Sequence, residues 1–377
     1  MREGWVIKTI GDVCDIFDRN RKPISKRDRE PGPYPYYGAS CIQDYVSGYL
    51  FDGRYLLIGE DGAKWGPGED TAYIAEGKFW VNNHAHIVKA KEGYLDDFLR
   101  YYIKHLDLNP IVAGAIIPKL TQEKLATLEV PVPSLAEQQR IVDILDREFA
   151  GIDALKANAE KSLQAAKDLF QATLKKELEP KEGWITAKMN DIYDVRDGTH
   201  DSPKYHPSGY PLITSKNLRS GRIDMTDIKY ISQEDFDKIN ERSKVDVGDV
   251  LFAMIGTIGN PTLVIEEPNY AIKNMALFKV PKDQSGLLLQ FILCSNKVLN
   301  DMHRKSKGSN QPFVSLGFLR NYEITLPVSM EEQVIVVSRI NALNKKCCAI
   351  QENYQKALAL CDDLKQVLLR KAFNGEL

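Results

Sequence analysis

The sequence lacks the marks of a membrane-spanning or exported protein. No apolar run approaches the ~20 residues that a membrane span requires. The opening Met1-Arg2-Glu3-Gly4-Trp5 has no apolar core of the signal-peptide kind. Six cysteines (Cys14, Cys41, Cys294, Cys347, Cys348 and Cys361) form no C-x-x-C pair and no regular framework, so a reduced, cytoplasmic protein is expected. Net charge is almost absent as well. Fifty basic residues against 52 acidic ones leave −2, which excludes a uniformly basic coating protein but leaves room for local basic patches.

The signatures of catalysis are missing too. Gly59-Glu60-Asp61-Gly62-Ala63-Lys64 lacks the spacing of a phosphate loop. Asn109-Pro110 and Asn260-Pro261 are each followed by the wrong residue for the Asn/Asp-Pro-Pro-Tyr/Phe tetrad of amino-methyltransferases. There is no G-x-S-x-G elbow. His84 and His86 could share one face of a strand, yet no Cys or carboxylate follows at ligand spacing, so they read as strand residues. No catalytic, cofactor-binding or metal-binding residue is expected in this chain.

What is present is a chain written twice, in 377 residues that exceed one ordinary core. Glu3-Gly4-Trp5 returns as Glu182-Gly183-Trp184, and Tyr55-Leu56-Leu57-Ile58-Gly59 parallels Val250-Leu251-Phe252-Ala253-Met254. Asn83 and Asn274 each precede an apolar strand. Gly114…Pro118 and Gly308…Pro312 recur with the same internal spacing, and Pro133 and Pro327 stand before Gln139 and Gln333. The repeat unit of about 180 residues is far longer than a solenoid repeat, so each copy is a domain plus a connector. The domains hold short β-type runs separated by Asp-Gly and Gly-Asn-Pro turns, with one helical stretch each, near 95–106 and 286–299.

The connectors differ in kind. Residues 330–373 contain neither Gly nor Pro, and residues 135–178 contain only Gly151. Ile340, Leu343, Cys347, Ile350, Tyr354, Ala357, Cys361, Leu364 and Leu368 follow a 3,4 spacing, an a/d seam on which cysteine serves as a small apolar residue. Leu145, Phe149, Ile152, Lys156, Ala159, Leu163, Ala166, Phe170 and Thr173 form a poorer seam with polar members. Neither helix can bury its stripe alone, so the two are expected to pair antiparallel, each about 65 Å long at 1.5 Å per residue. The fold class expected is α+β. Two similar mixed α/β domains (1–133 and 181–327) would be separated by two long antiparallel coiled-coil helices (134–180 and 328–377) with pseudo-two-fold symmetry.

Polar chemistry gathers at matched places in the two copies. Arg19, Arg21, Lys22, Lys26, Arg27 and Arg29 share a short segment with one acid, Asp28. Arg304, Lys305 and Lys307 lead into Gly308-Ser309-Asn310-Gln311, a loop of basic and amide side chains without an acid. Such sets suit phosphate contacts together with base-edge hydrogen bonds, although a solvated surface loop has the same composition. Tyr36-Tyr37-Gly38-Ala39-Ser40 in the first copy is matched by Asp197-Gly198-Thr199-His200 and Thr214-Ser215-Lys216-Asn217 in the second. Gly62-Ala63-Lys64 and Gly256-Thr257-Ile258-Gly259 are turns that let a backbone approach closely.

With these residues in view, the whole chain resembles the DNA-specificity subunits of type I restriction–modification systems. The resemblance rests on the "EGW" opening of each half and on "VPVPSLAEQQRIVDIL" and "ITLPVSMEEQVIVVSRI" at the heads of the helices. The ending "LLRKAFNGEL", echoed by "LFQATLKKEL", adds to it. "RDGTHDSPKYHPSGYPLITSKNLRSGRID" with "VDVGDVLFAMIGTIGN" is similar to one recurrent class of target-recognition domain, whereas the first domain matches in framework positions only. The resemblance implies that each domain reads one half of a bipartite, asymmetric site on double-stranded DNA. The helices would set the spacer and dock two modification subunits that carry S-adenosylmethionine and methylate adenine. Up to two restriction subunits, driven by ATP with Mg, would join them, and this chain itself would catalyse nothing.

On that reading the DNA-binding residues expected in the first domain are Arg19, Arg21, Lys22, Lys26, Tyr36, Lys64 and Asn83. In the second they are Thr199, His200, Ser215, Lys216, Asn217, Lys305, Lys307, Ser309, Asn310 and Gln311. An alternative is a two-ended coiled-coil scaffold without DNA specificity, which accounts for the heptads but not for the paired basic loops. A self-sufficient methyltransferase or nuclease would need the motifs that are missing.

Overall fold

The computed structural model describes residues 4–112, 114, 118–308 and 311–377. The chain divides into two compact units, unit 1 comprising Met1–Lys161 with Tyr354–Leu377 and unit 2 comprising Ser162–Asn353. Each unit therefore takes part of both long helices, rather than ending where the helices begin.

In unit 1 the chain runs through β1 (Val6–Thr9), α1 (Ile10–Val13), β2 (Cys14–Ile16), β3 (Pro31–Tyr37), β4 (Ile42–Val46), β5 (Phe51–Gly59), β6 (Ala72–Val81) and β7 (Ala85–Ala90). It continues through α2 (Asp96–His105), α3 (Gln122–Ala126) and β8 (Glu129–Val132) into the long helix α4 (Leu135–Glu177). A six-stranded sheet has the order β2-β7-β5-β6-β3-β4, and β1 pairs with β8. The centre of the sheet is buried on both faces, and the alternation of β5 shows how. Leu56 and Ile58 pack with Phe98 and Leu99 of α2, while Leu57 packs with Phe79 and Ile87 on the other face. Each such fully buried aliphatic side chain contributes about 1.5–3 kcal/mol.

In unit 2 the elements are β9 (Trp184–Lys188), α5 (Met189–Ile192), β10 (Asp194–Asp197), β11 (Tyr210–Thr214), β12 (Leu218–Arg219), β13 (Arg222–Ile223), β14 (Lys229–Ile231), α6 (Gln233–Ser243), β15 (Val250–Ala253) and β16 (Gly259–Leu263). There follow β17 (Ala271–Lys273), β18 (Met275–Lys279), α7 (Gly286–Cys294), α8 (Asn296–Lys305), α9 (Leu316–Asn321), β19 (Glu323–Pro327) and the long helix α10 (Met330–Asn374). Four strands have the order β10-β18-β15-β16, the counterpart of β2-β7-β5-β6 in unit 1, and β19-β9 repeats β1-β8. Strand pairing is mixed in both units. β3 runs parallel to β6 and β11 parallel to β17, each beside antiparallel partners. The expected helical stretch at 286–299 is broken at Ser295, whose hydroxyl caps α8. The sequence pattern did not anticipate α6, which begins at a Ser232 cap.

Pairing registers move the repeat by one residue from its apparent alignment. Leu56 faces Val88 as Val250 faces Phe278, so Leu56, not Tyr55, corresponds to Val250. Gly59 faces Ala85 as Ala253 faces Met275, which makes His84, not Asn83, the counterpart of Asn274. The glutamine at the helix heads shifts likewise. Gln138 accepts from Leu95 N at 3.1 Å and donates to Pro133 O at 3.1 Å. Gln333 accepts from Ser285 N at 2.9 Å and donates to Pro327 O at 3.0 Å. Both are buried, whereas Gln139 is exposed and bonds Asp143 on its own helix.

The helices are as long as their composition predicts, 43 residues for α4 and 45 for α10. In unit 1 they lie antiparallel: Lys365 pairs with Asp153 at 2.5 Å, Lys156 with Asp362 at 2.8 Å, and Arg140 donates to Leu377 O at 2.7 Å. In unit 2 Arg339 pairs with Glu177 at 3.6 Å, and Leu174 shares a core with Val336 and Ile340. Every member of the expected α4 seam is buried or half-buried. On α10 the row Ile340, Cys347, Tyr354, Cys361 and Leu368 turns inward, but Ile350 and Leu364 are exposed. One facing helix covers a narrower stripe than a full a/d pair of rows.

Candidate nucleic-acid interface

In both units the same loops meet at one edge of the sheet, tied there by one equivalent backbone hydrogen bond and one equivalent bridge, Asp61 to Lys119 and Ile255 to Phe313, with further bonds that differ. In unit 1 the loop after β5 is held to the one before β7 by Glu60 N donating to His84 O at 2.9 Å. The segment that follows Pro118 joins them through Leu120 N donating to Glu60 O at 2.8 Å. In unit 2 Val314 N donates to Met254 O at 2.9 Å at the corresponding point, and Gly256 N donates to Pro312 O at 2.9 Å. Asn274 N donates to Thr199 O at 3.1 Å, joining the loop after β10 to the start of β18.

The side chains behind these loops differ between the copies. In unit 1 they form an ionic knot. Arg21 binds Glu60, lies 3.3 Å from Asp18, and donates to Ala85 O at 2.8 Å. His86 is fully buried, with Nδ1 2.5 Å from Asp18 Oδ2 and Nε2 2.8 Å from Leu120 O. Lys119 reaches Glu60 at 2.7 Å. Burial opposes ionisation of Glu60, but hydrogen bonds from Lys119 and Arg21 outweigh it and hold the carboxyl below its ordinary value of 4.5. Asp18, Glu60 and His86 bring three possible metal-ligating atoms within 4.8 Å of one another. Both imidazole nitrogens are already engaged, and the guanidinium and ammonium supply the positive charge that an ion would bring.

In unit 2 the buried acid at the equivalent place is Asp197, bound by Arg242 and by His200 Nε2 at 2.8 Å. His200 Nδ1 lies 3.0 Å from Asn274 Oδ1, and Ser215 donates to Asn274 O at 2.9 Å. The positions of Glu60 and His86 are taken by Met254 and Ala276, both buried and apolar. One loop scaffold is thus braced by charge in unit 1 and largely by packing in unit 2.

The structure separates the expected site residues into two groups. Arg19, Lys22, Lys26, Asn83, His200, Lys216, Lys305, Lys307 and Gln311 are exposed, and Thr199 and Ser215 are half-buried. Lys64 is exposed and lies 3.4 Å from Glu69. Arg21, Tyr36 and Asn217 instead lie inside the fold. The Arg21 side chain is 13% exposed. Tyr36 is buried, its hydroxyl 3.0 Å from Ile24 N, with Arg29 stacked on its ring at 4.2 Å. Asn217 caps a short turn, accepting from Thr214 N at 2.9 Å and donating to Asp224 O at 3.0 Å. The basic cluster at 19–29 therefore splits, because two of its six cations, Arg21 and Arg29, turn inward to meet Asp18, Glu60 and Asp44. Ser309 and Asn310 lie outside the described residues.

Three residues on this edge escaped the sequence pattern as site members. Asn274 served only to mark the repeat; its φ of 56° and its bond to His200 make it the hinge of the unit 2 loops. Lys119 and Phe313 each follow the proline of the recurrent Gly…Pro segment, a position that the repeat itself could have flagged.

Comparison with known proteins bears on this edge. The model of the type I restriction modification DNA specificity domain matches residues 2–165 and again 181–359. A protein of Haemophilus influenzae, named provisionally as a type I restriction enzyme specificity subunit, is 30% identical over 93% of this chain and 90% of its own length. The EcoBI specificity subunit of Escherichia coli is 28% identical over 88% of this chain and 77% of its own. The fold is also that of a chain from a structural study of complex assembly and conformational transition in the type I R-M system. That likeness has a TM-score of 0.73 at 16% identity and covers 100% of this chain and 99% of the other. Among the described residues no helix is long and apolar enough to cross a membrane.

Proposed function

This chain belongs to the type I restriction–modification DNA specificity family, and from that premise we propose that its two units read the two halves of one split, asymmetric DNA site. The observation that supports this reading is a loop edge built twice on an equivalent backbone bond and bridge, with different side chains: Arg21 against His200, Glu60 against Met254, Lys119 against Phe313. Two identical edges would read one sequence twice, whereas these are braced differently from behind and present different groups at the surface, Lys119 in unit 1 and His200 and Phe313 in unit 2.

Affinity comes largely from phosphates and sequence from base edges. Arg19, Lys22, Lys26, Lys64 and Asn83 are the proposed contacts of unit 1. In unit 2 they are His200, Lys216, Lys305, Lys307 and Gln311, with Thr199 and Ser215 at the loop bases and Ser309 and Asn310 on the same loop by sequence. Arg21, Tyr36 and Asn217 act from behind, by holding loop conformation. The long helices set the separation of the half-sites and dock two modification subunits. S-adenosylmethionine is bound by those subunits, and ATP with Mg by restriction subunits where these join; this chain carries no catalytic group of its own and works in the cytoplasm. Co-expression with a modification subunit, followed by mapping of methylated adenines by single-molecule sequencing, tests the proposal. A split asymmetric motif that depends on both chains supports it. A stable complex that methylates no defined motif contradicts it.

A further inference from the structure

Lys119 and Phe313 occupy one backbone position in the two copies. Each is bridged to the loop after the central strand, Lys119 to Asp61 and Phe313 to Ile255, and each is followed by the residue that bonds the end of that strand. In unit 1 the lysine folds back onto Glu60. In unit 2 the residue just after the strand is Met254, 3% exposed, which offers no carboxylate. The residue here is a phenylalanine that stays 40% exposed.

A single exposed hydrophobic residue is ordinary on a protein surface. This one is fixed in place. Phe313 N donates to Lys307 O at 2.8 Å and Lys307 N donates to Phe313 O at 3.0 Å. Gly308, at φ 94°, turns the loop so tightly that a Cβ there would lie 2.7 Å from Gln311 O. The Phe313 backbone is thus fixed against Lys307, with the ring close to Gly308, in a loop otherwise suited to phosphates and polar base edges. The apolar group that a base pair presents in the major groove is the thymine C5-methyl, and phenylalanine is among the side chains that meet it.

We infer that Phe313 is a specificity-determining residue that contacts the C5-methyl of a thymine in the half-site read by unit 2. The inference rests on the proposed function. The test uses the assembled complex of this chain with its modification subunits. The DNA duplexes carry deoxyuridine in place of each second-half-site thymine in turn, a change that removes only the methyl group. One replacement is expected to weaken binding by about fourfold, the equilibrium value of burying one methyl group. F313A should lower affinity for the thymine duplex by at least as much and abolish the thymine–uracil difference at that position. F313L, which keeps an apolar tip, should retain part of the difference and guards against a misfolded alanine variant.

The inference is overturned by a second half-site without thymine, by uracil tolerance at every position, or by an F313A loss that is equal on all sequences. A wild-type complex with no sequence preference would overturn the proposed function itself. A clear wild-type motif that F313A leaves unchanged overturns only the assignment of Phe313.

Discussion

Arg21 offers the sharpest separation between a DNA contact and an internal brace, because sequence composition places it among the phosphate-binding cations and the structure places it inside. Replacing it with alanine removes the guanidinium from Glu60 and Asp18, whose side chains are 9% and 4% exposed. Stripping one partner from a buried ion pair costs about 3–5 kcal/mol. Here Lys119 still holds Glu60, and His86 with the Ile87 amide still holds Asp18, so the loss belongs at the low end, about 3 kcal/mol. That is a change of about 150-fold in an equilibrium constant. Two units that can unfold separately make a single denaturation curve ambiguous, so amide hydrogen exchange resolved by segment is the right assay. Exchange in β5 and β7 should accelerate by about that factor, while β15 and β18 in unit 2 serve as the internal reference. The exposed Arg19→Ala should stay within about 0.5 kcal/mol of wild type. Unchanged exchange in R21A, with DNA affinity falling equally on all sequences, would refute the brace and restore Arg21 as a phosphate contact.

The remaining predictions concern the same framework. Glu60 is held below its ordinary pKa, so its contribution to stability is complete above pH 4.5 and is lost as pH falls through the lower folded value. Glu60→Gln should therefore weaken unit 1 at neutral pH and flatten its acid sensitivity, and unfolding followed down through the carboxylate range will show whether the slope survives. Gln333→Ala should destabilise unit 2 by about 1–3 kcal/mol, because Ser285 N and Pro327 O are left without a buried partner. Gln139→Ala, on the exposed flank of α4, should cost almost nothing when both variants are compared by segment-resolved hydrogen exchange.

Much of the architecture was legible because it is repeated. The Glu-Gly-Trp openings, the Gly…Pro segments and the Gly- and Pro-poor stretches mark two domains and two long helices. What stayed hidden depends on register and on which way a side chain turns. A one-residue slip makes Asn83 look like the partner of Asn274, and only strand pairing assigns that place to His84. The cations at 19–29 look equivalent in sequence, yet Arg21 and Arg29 meet acids that arrive from residues 60 and 44. Composition cannot reveal partners supplied by distant strands. The α10 seam shows the same limit. The 3,4 spacing marks Ile350 and Leu364 as inward, but a single facing helix leaves them exposed.

Two equivalent loop edges that differ in side chains should read their two half-sites independently. The most direct measurement is the methylation motif of the complex carrying Lys307→Ala together with Gln311→Ala, set beside that of the wild-type chain. Independent reading gives an unchanged half-site from unit 1 and relaxed recognition, at one or more positions, in the half-site from unit 2. Removing a side chain that reads a base should cost about 1–3 kcal/mol of discrimination at that position. A motif altered in both halves, or in neither, would contradict it.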